Sequence, residues 1–344
     1  MARKKLKVGL KNATAMIRRS ARLARSSSHR AYLNSKTVDV KRGAKSSRAS
    51  TSKTVKLKRE VNAPPTKPPP FAKKGTTAAA SGVYYDAGAV EDVLKEASKL
   101  RLGSSRWFVE EGLRHLLAVN PDVWGPALAK YGLPKRIREM SERSQNDRAT
   151  NPFSSLFMTI VYQQLAGAAC AAVMKKVCTG LDVKECTCVT PAHVMNANFE
   201  EVQDASTGKW RVEINGIHSG LSRNKAKYIQ SLADHFSDAS KLSGLPFDQL
   251  SDEELRKRLC AVKGLGPWSV EMFLIFKLAR PDVFSPGDLA VRKGFAALCG
   301  LDPTRFQKAN RETFERAGEM AKPFSPYRTL CTIYSYACYG IEEL

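Results

Sequence analysis

Cys260-Ala261-Val262-Lys263-Gly264-Leu265-Gly266-Pro267-Trp268 is the stretch on which the fold of this 344-residue chain turns. Ahead of it, Ser251-Asp252-Glu253-Glu254 has the spacing of a capping box and opens a helix through Leu255, Leu259 and Val262. Behind it, Pro267 suits a first helical position. Val270, Met272, Phe273, Leu274, Ile275, Phe276 and Leu278 make that second helix apolar nearly all round, so it must be buried until Arg280-Pro281 stops it. Only a very tight turn fits between the two. Glycines two apart permit positive φ and the close approach of another backbone. The N–H groups that open the second helix make an anion site, and a DNA phosphate held there would carry no sequence information. Gly-x-Gly is a weak signal, and taken alone the stretch also reads as an ordinary αα-hairpin.

Working outward, the pattern stays helical. Asn151 then Pro152 reads as cap and first residue of a helix, with Phe153, Leu156, Phe157, Ile160, Val161 and Gln164 on one face. Phe108, Leu113, Leu116 and Leu117 begin the first amphipathic stretch, and further helices are expected at about 289–299, 304–321 and 327–339. Only Trp210-Arg211-Val212-Glu213-Ile214 alternates like a strand, too short to build a sheet. The expectation is an all-α domain of roughly ten helices without an internal repeat.

Charge is unevenly placed. Residues 1–80 hold 22 Lys+Arg against 2 Asp+Glu, a net of +20, whereas the other 264 residues hold 34 against 31. Such a tail cannot bury enough apolar surface to fold, but it can neutralise phosphates and give salt-sensitive binding. Pro64-Pro65-Thr66-Lys67-Pro68-Pro69-Pro70 and the Gly/Thr/Ala run after it have linker composition. We read 1–84 as a disordered basic tail and Pro-rich linker and 85–344 as the folded domain. The tail serves as a targeting signal, a solvated arm or a DNA tether. Its Lys-rich clusters Arg3-Lys4-Lys5 and Lys56-Leu57-Lys58-Arg59 favour the nucleus, with a mitochondrial or plastid address as the alternative because residues 1–38 hold no acid.

No run approaches the roughly 20 apolar residues that cross a bilayer, so no membrane role is expected. None of the eight cysteines forms a CxxC pair, and Cys186-Thr187-Cys188 is too tight for half a zinc site. Cys170, Cys260 and Cys299 fall inside apolar runs, where a thiol packs as a small hydrophobe, and a reducing compartment is the natural expectation.

The sequence beyond the hairpin points to chemistry. Val283-Phe284-Ser285-Pro286-Gly287-Asp288-Leu289-Ala290-Val291-Arg292 places an Asp at the mouth of the next helix, where Asp is also an ordinary N-cap. A hairpin, a Gly/Pro-rich loop and one Asp together resemble the helix-hairpin-helix (HhH-GPD) DNA glycosylase superfamily, and within it most of all the bacterial and fungal 3-methyladenine DNA glycosylases of type II. Asn151-Pro152-Phe153 with Gln163-Gln164-Leu165, the turn Gly220-Leu221-Ser222-Arg223 with Lys225-Ala226, and Ser325-Pro326-Tyr327-Arg328-Thr329 extend the resemblance over about 105–340.

The resemblance implies two helical subdomains flanking an active-site cleft, and a monofunctional glycosylase that releases 3-methyladenine- and 7-methylguanine-type bases from double-stranded DNA. Asp288 takes the place of the carboxylate that stabilises the developing cation on the sugar and orients the attacking water, the device of O-glycosidases without their second acid. Trp268 stands where strand-cleaving relatives carry a Lys nucleophile, which implies hydrolysis only. Trp268 and Tyr336 are implied to stack on the extruded base, with Met272, Leu289 and Gln164 beside them, and Leu165 to fill the gap left in the duplex. Phe324, like Tyr336, replaces a Trp. Lys263, Gly264, Gly266 and Ser269 are implied to meet phosphate. The carbonyls of Cys260, Val262 and Leu265 are implied to hold a monovalent cation (Na+ or K+), no other cofactor being needed. Cys331 and Cys338 lack the Cys-x2-Cys that would complete an iron–sulfur set. Searching along DNA suits a monomer.

Overall fold

A computed structural model describes residues 76–78, 84–145, 151–165 and 168–341. The basic tail and linker expected over 1–84 lie outside these residues, except that Thr76–Ala78 (β1) pairs antiparallel with Tyr84–Asp86 (β2). That pairing is a departure from linker, and Tyr85 anchors it by occupying the space a side chain on Gly125 would need.

Thirteen α-helices are present among the described residues, and they form two groups. Helices α1 (Ala87–Ala97), α2 (Val109–Val119), α3 (Pro121–Tyr131) and α4 (Lys135–Gln145) open the chain, with a two-residue hairpin of β3 (Arg101–Leu102) and β4 (Trp107–Phe108) between the first two. The middle group comprises α5 (Pro152–Tyr162), α6 (Ala168–Gly180), α7 (Pro191–Met195), the strands β5 (Phe199–Gln203), β6 (Trp210–Ile214) and β7 (Ile217–His218), then α8 (Arg223–Ser237), α9 (Asp252–Leu259) and α10 (Pro267–Phe276). The chain returns to the first group with α11 (Leu289–Leu298), α12 (Arg311–Ala321) and α13 (Arg328–Cys338), which pack on one another and on α3. Gly294 sets the approach of α11 to α13, since a Cβ there would collide with the Ser335 carbonyl. One apolar core of buried residues runs through both groups.

The caps explain where these helices start. Asn151 accepts the Phe153 N–H at 2.9 Å, as the sequence indicates. Ser251 accepts from Glu254 at 3.2 Å, but the reciprocal half of the expected capping box is absent because Glu254 bonds Arg258 at 2.6 Å instead. Helix α9 ends at Leu259, so Val262 belongs to the turn. Helix α5 ends at Tyr162, short of Gln164, whose φ of 60° breaks the helical run. Helix α10 stops at Phe276, before Arg280-Pro281, by a left-handed exit through Ala279 (φ 48°) with the Arg280 N–H returning to Leu274 O at 2.9 Å. The single helix expected over 304–321 is two pieces: a 3-10 turn, Pro303–Phe306, and α12, divided because Asn310 and Thr313 make a reciprocal cap.

The largest departure is the sheet. Strands β5, β6 and β7 form a three-stranded antiparallel sheet, so the segment at 210–214 is its central strand. Its signal was the Asn215-Gly216 pair, both with positive φ (49° and 78°), the turn chemistry that closes a tight hairpin. Val212 and Ile214 face the core while Trp210, on the same side, projects past it. Of the three cysteines expected to pack as small hydrophobes, Cys170 and Cys299 are half-buried and Cys260 is exposed, which corrects that reading for Cys260; Cys178 and Cys186 are joined as a disulfide. No helix is long and apolar enough to cross a membrane among the described residues.

Candidate active site

The site forms where the two helical groups meet. Asp288 is the N-cap of α11: its Oδ1 accepts the N–H groups of Ala290 at 2.7 Å and Val291 at 3.0 Å. The two readings offered by the sequence, cap and functional carboxylate, fall on opposite oxygens of one side chain. Oδ2 accepts from Trp268 Nε1 at 2.8 Å and from the Tyr336 hydroxyl at 3.1 Å. Trp268 comes from α10 and Tyr336 from α13, so each helical group sends one donor. Each carboxyl oxygen thus accepts two donors, Oδ1 from the backbone and Oδ2 from side chains.

The turn that carries Asp288 is held from behind. The Asp288 N–H bonds Ser285 O at 3.1 Å, closing residues 285–288. Arg292, 1% exposed, donates to Pro286 O at 2.8 Å and to Phe306 O at 3.1 Å. Burial pulls its pKa down to about 10, and the Asp288 charge works against that pull, so it remains a cation near neutral pH.

The residues expected to stack on a base do not share one role. Trp268 is open to solvent, with 38% of its surface exposed. Tyr336 does not fit a stacking role: it is 5% exposed, its ring lies tilted on Phe276 with centroids 6.3 Å apart, and its hydroxyl is committed to Asp288. Burial first, then the adjacent Asp288 charge, hold that hydroxyl well above the ordinary phenol range, so it stays protonated and donates. Met272 is buried behind it, with Sδ 3.4 Å from the same hydroxyl. Leu289 is half-buried beside Asp288 and Gln164 is exposed. Phe324 is core, edge-on to Trp124 and Phe295.

The hairpin divides its labour between its glycines. Gly264 has φ +95°, and the Tyr228 ring fills the space a Cβ would take. Gly266 has an ordinary φ of −101° and nothing within 4 Å of a would-be Cβ, so the fold itself does not demand glycine there. It caps α10 without a side-chain bond, leaving the first-turn N–H groups of Trp268 and Ser269 without intrahelical partners. Lys263, in the turn before them, is exposed. Ser269 differs from the expectation in its side chain: it is buried, and its hydroxyl accepts from Gln163 Nε2 at 3.2 Å. The same Gln163 nitrogen donates to Gly264 O at 3.0 Å, so Gln163 fastens the hairpin to the end of α5. Sequence reasoning passed over Gln163 in favour of Gln164; the one available signal was its place at the point where the periodicity of α5 stops. Leu165, half-buried, follows in the same turn, its N–H bonding Tyr162 O at 3.0 Å. Val262 O accepts from Leu265 N at 3.1 Å, which leaves that carbonyl a second lone pair.

Residues 157–322 match the family described as HhH-GPD superfamily base excision DNA repair protein, and the match takes in Gln163, the hairpin and Asp288 but stops short of Tyr336. The chain is similar to the alkylbase DNA glycosidase-like protein mag2 of Schizosaccharomyces pombe, 25% identical over 221 residues that make up 64% of this chain and 89% of that one. It is also similar to the DNA-3-methyladenine glycosylase of Saccharomyces cerevisiae, 42% identical over 95 residues, covering 27% of this chain and 32% of the yeast protein. The solved structure of the S. pombe 3-methyladenine DNA glycosylase in complex with abasic DNA aligns with a TM-score of 0.47 at 24% identity, over 66% of this chain and 95% of that one.

Proposed function

We propose that this protein is a monofunctional DNA glycosylase that hydrolyses the N-glycosidic bond of N3- and N7-alkylated purines in double-stranded DNA, a DNA-3-methyladenine glycosylase of type II acting in base excision repair. The observation that carries the reading is Asp288, a carboxylate with one oxygen fixed to the start of α11 and the other held by Trp268 and Tyr336 at the junction of the helical groups.

An alkylated purine leaves as a neutral base because it already bears a positive charge, so no general acid is needed. The C1′–N bond breaks, positive charge grows on the sugar, and Asp288 stabilises it electrostatically. A water then forms the C1′–O bond and gives its proton to solvent, while Asp288 acts through its charge. The Trp268 indole, exposed beside the carboxylate, offers its electron-rich face to the cationic base; such a contact contributes roughly 0.5–2 kcal/mol that a neutral base does not gain. Leu165 enters the stack in place of the extruded nucleotide, and the open start of α10 with Lys263 takes a phosphate. We further propose that the carbonyls of Cys260, Val262 and Leu265 hold a monovalent cation that adds positive charge facing that phosphate; the tight turn closed between Val262 and Leu265 supports this. No other cofactor is required. The protein acts as a monomer in the nucleus, or alternatively in a mitochondrion or plastid, with its basic tail as tether or address.

Mass spectrometry of bases released from methylated DNA tests the reading, with 3-methyladenine and 7-methylguanine expected. Borohydride should trap no covalent adduct on an abasic duplex; a trapped adduct would make the enzyme a lyase.

A further inference from the structure

We propose that Glu271 is a positioning residue for the catalytic carboxylate, acting through Ser285 and tying the DNA-docking hairpin to the turn that presents Asp288. The inference rests on the glycosylase reading above. Glu271 lies in α10, three residues beyond Trp268, and so on the same side of that helix. Its side chain is 13% exposed. Oε1 accepts from Arg256 Nη1 at 3.1 Å, and Arg256 belongs to α9, the other arm of the hairpin. Oε2 accepts from the Ser285 hydroxyl at 2.7 Å.

Ser285 is fully buried and is the first residue of the turn closed by the bond from Asp288 N to Ser285 O. A single residue thus fastens both arms of the hairpin to one corner of the catalytic turn, while Arg292 holds the next corner through Pro286 O. A buried ion pair alone is weak evidence of any role, since desolvation offsets most of its attraction. What distinguishes Glu271 is the direction of its second oxygen, which is spent on the turn and not on the pair. Burial pushes the Glu271 carboxyl up from its ordinary range, Ser285 and Arg256 pull it back, and the nearby Asp288 charge adds to the push. Keeping a carboxyl so close to another is costly unless both are held in place.

Single-turnover base release from methylated duplex, affinity for an abasic duplex, and thermal unfolding are measured for the full chain and for Glu271→Gln, Ser285→Ala and the double variant. Each single variant should slow release by about ten- to a hundred-fold, the cost of a small misplacement at a reacting centre, while abasic-duplex affinity and folded fraction stay at wild-type values. The double variant should be no slower than the slower single one, because both act on one linkage. Ser285→Ala deletes a single hydroxyl and keeps the test readable if Glu271→Gln folds poorly. Release at the wild-type rate in both single variants, losses that multiply in the double, or slowing matched by an equal loss of affinity or folded fraction would overturn the proposal. A wild-type chain that releases no base would strike the glycosylase reading beneath it, and that result is told apart because it needs no variant.

Discussion

Helix α10 begins with Gly266 and Pro267, helix α11 with Asp288, and the two starts treat their free N–H groups in opposite ways. At α11 a side chain fills the first turn, and the carboxylate that does so keeps its other oxygen for the cleft. At α10 no side chain among the described residues fills it, and the glycine that precedes it has open space where a side chain would stand. A capped start fixes a chemical group; an uncapped one invites an external anion. The difference teaches that the chain uses the same local problem twice, once to position its chemistry and once to hold its substrate.

The largest expected effect comes from breaking the filled start. Asp288→Asn keeps an oxygen for capping but loses the charge, so single-turnover release should fall by at least about a hundred-fold with no change in melting temperature. Retention of the wild-type rate would separate the cap from the chemistry and sink the mechanism. Next come the glycines. Gly264→Ala meets the Tyr228 ring at a positive φ and should destabilise the fold by about 1–3 kcal/mol, as overpacking does. Gly266→Ala should leave the melting temperature alone and weaken duplex binding in a filter or anisotropy assay. Equal effects at both glycines would erase the contrast between the two helix starts.

Smaller effects sharpen the contrast. Tyr336→Phe removes one of two donors to Asp288 Oδ2, a hydrogen bond to a charged group worth about 1.5–3 kcal/mol. Release should slow accordingly, with the preference among alkylated bases unchanged; an altered preference would restore Tyr336 to the base pocket. The smallest effect concerns a helix end and not a start. Lys225 donates to Val161 O at 2.6 Å in the last turn of α5, and burial lowers its pKa to about 8. Between about pH 8 and the ordinary lysine value the unfolded chain binds more protons than the folded one, so this residue's contribution to stability rises with pH across that window. The stability difference between wild type and Lys225→Met, followed by urea unfolding from pH 7 to 10.5, should therefore grow in favour of wild type.

Much of this arrangement was legible in the sequence, for reasons that can be named. Asn151, Ser251 and Asp288 cap helices because short polar side chains before an apolar periodic run have few other uses. The hairpin was legible because Gly-x-Gly-Pro permits so few backbones. The sheet is not legible from a five-residue alternation alone; Asn215-Gly216, which closes the tight turn between β6 and β7, is the stronger signal. The division of 304–321 was missed because Asn310 and Thr313 cap reciprocally within an otherwise helical composition. Tyr336 was placed near the right atoms but given the wrong task, since whether an aromatic presents its face or its hydroxyl depends on Phe276 and Met272 packing around it. Gln163 and Glu271 were beyond reach for the same reason: their partners, Gly264, Ser269, Arg256 and Ser285, are set by tertiary structure alone.

Because the last helices pack back onto the first group, the parts of the site are not made together. A ribosome moving along the message releases Gln163, the hairpin and Asp288 well before it releases Tyr336, and α11 gains its most extensive helical partner only when α13 follows. The nascent chain therefore carries its phosphate-binding element ahead of a finished carboxylate site. Synthesis runs from grip to chemistry, and any product that stops before about residue 328 should hold DNA better than it acts on it.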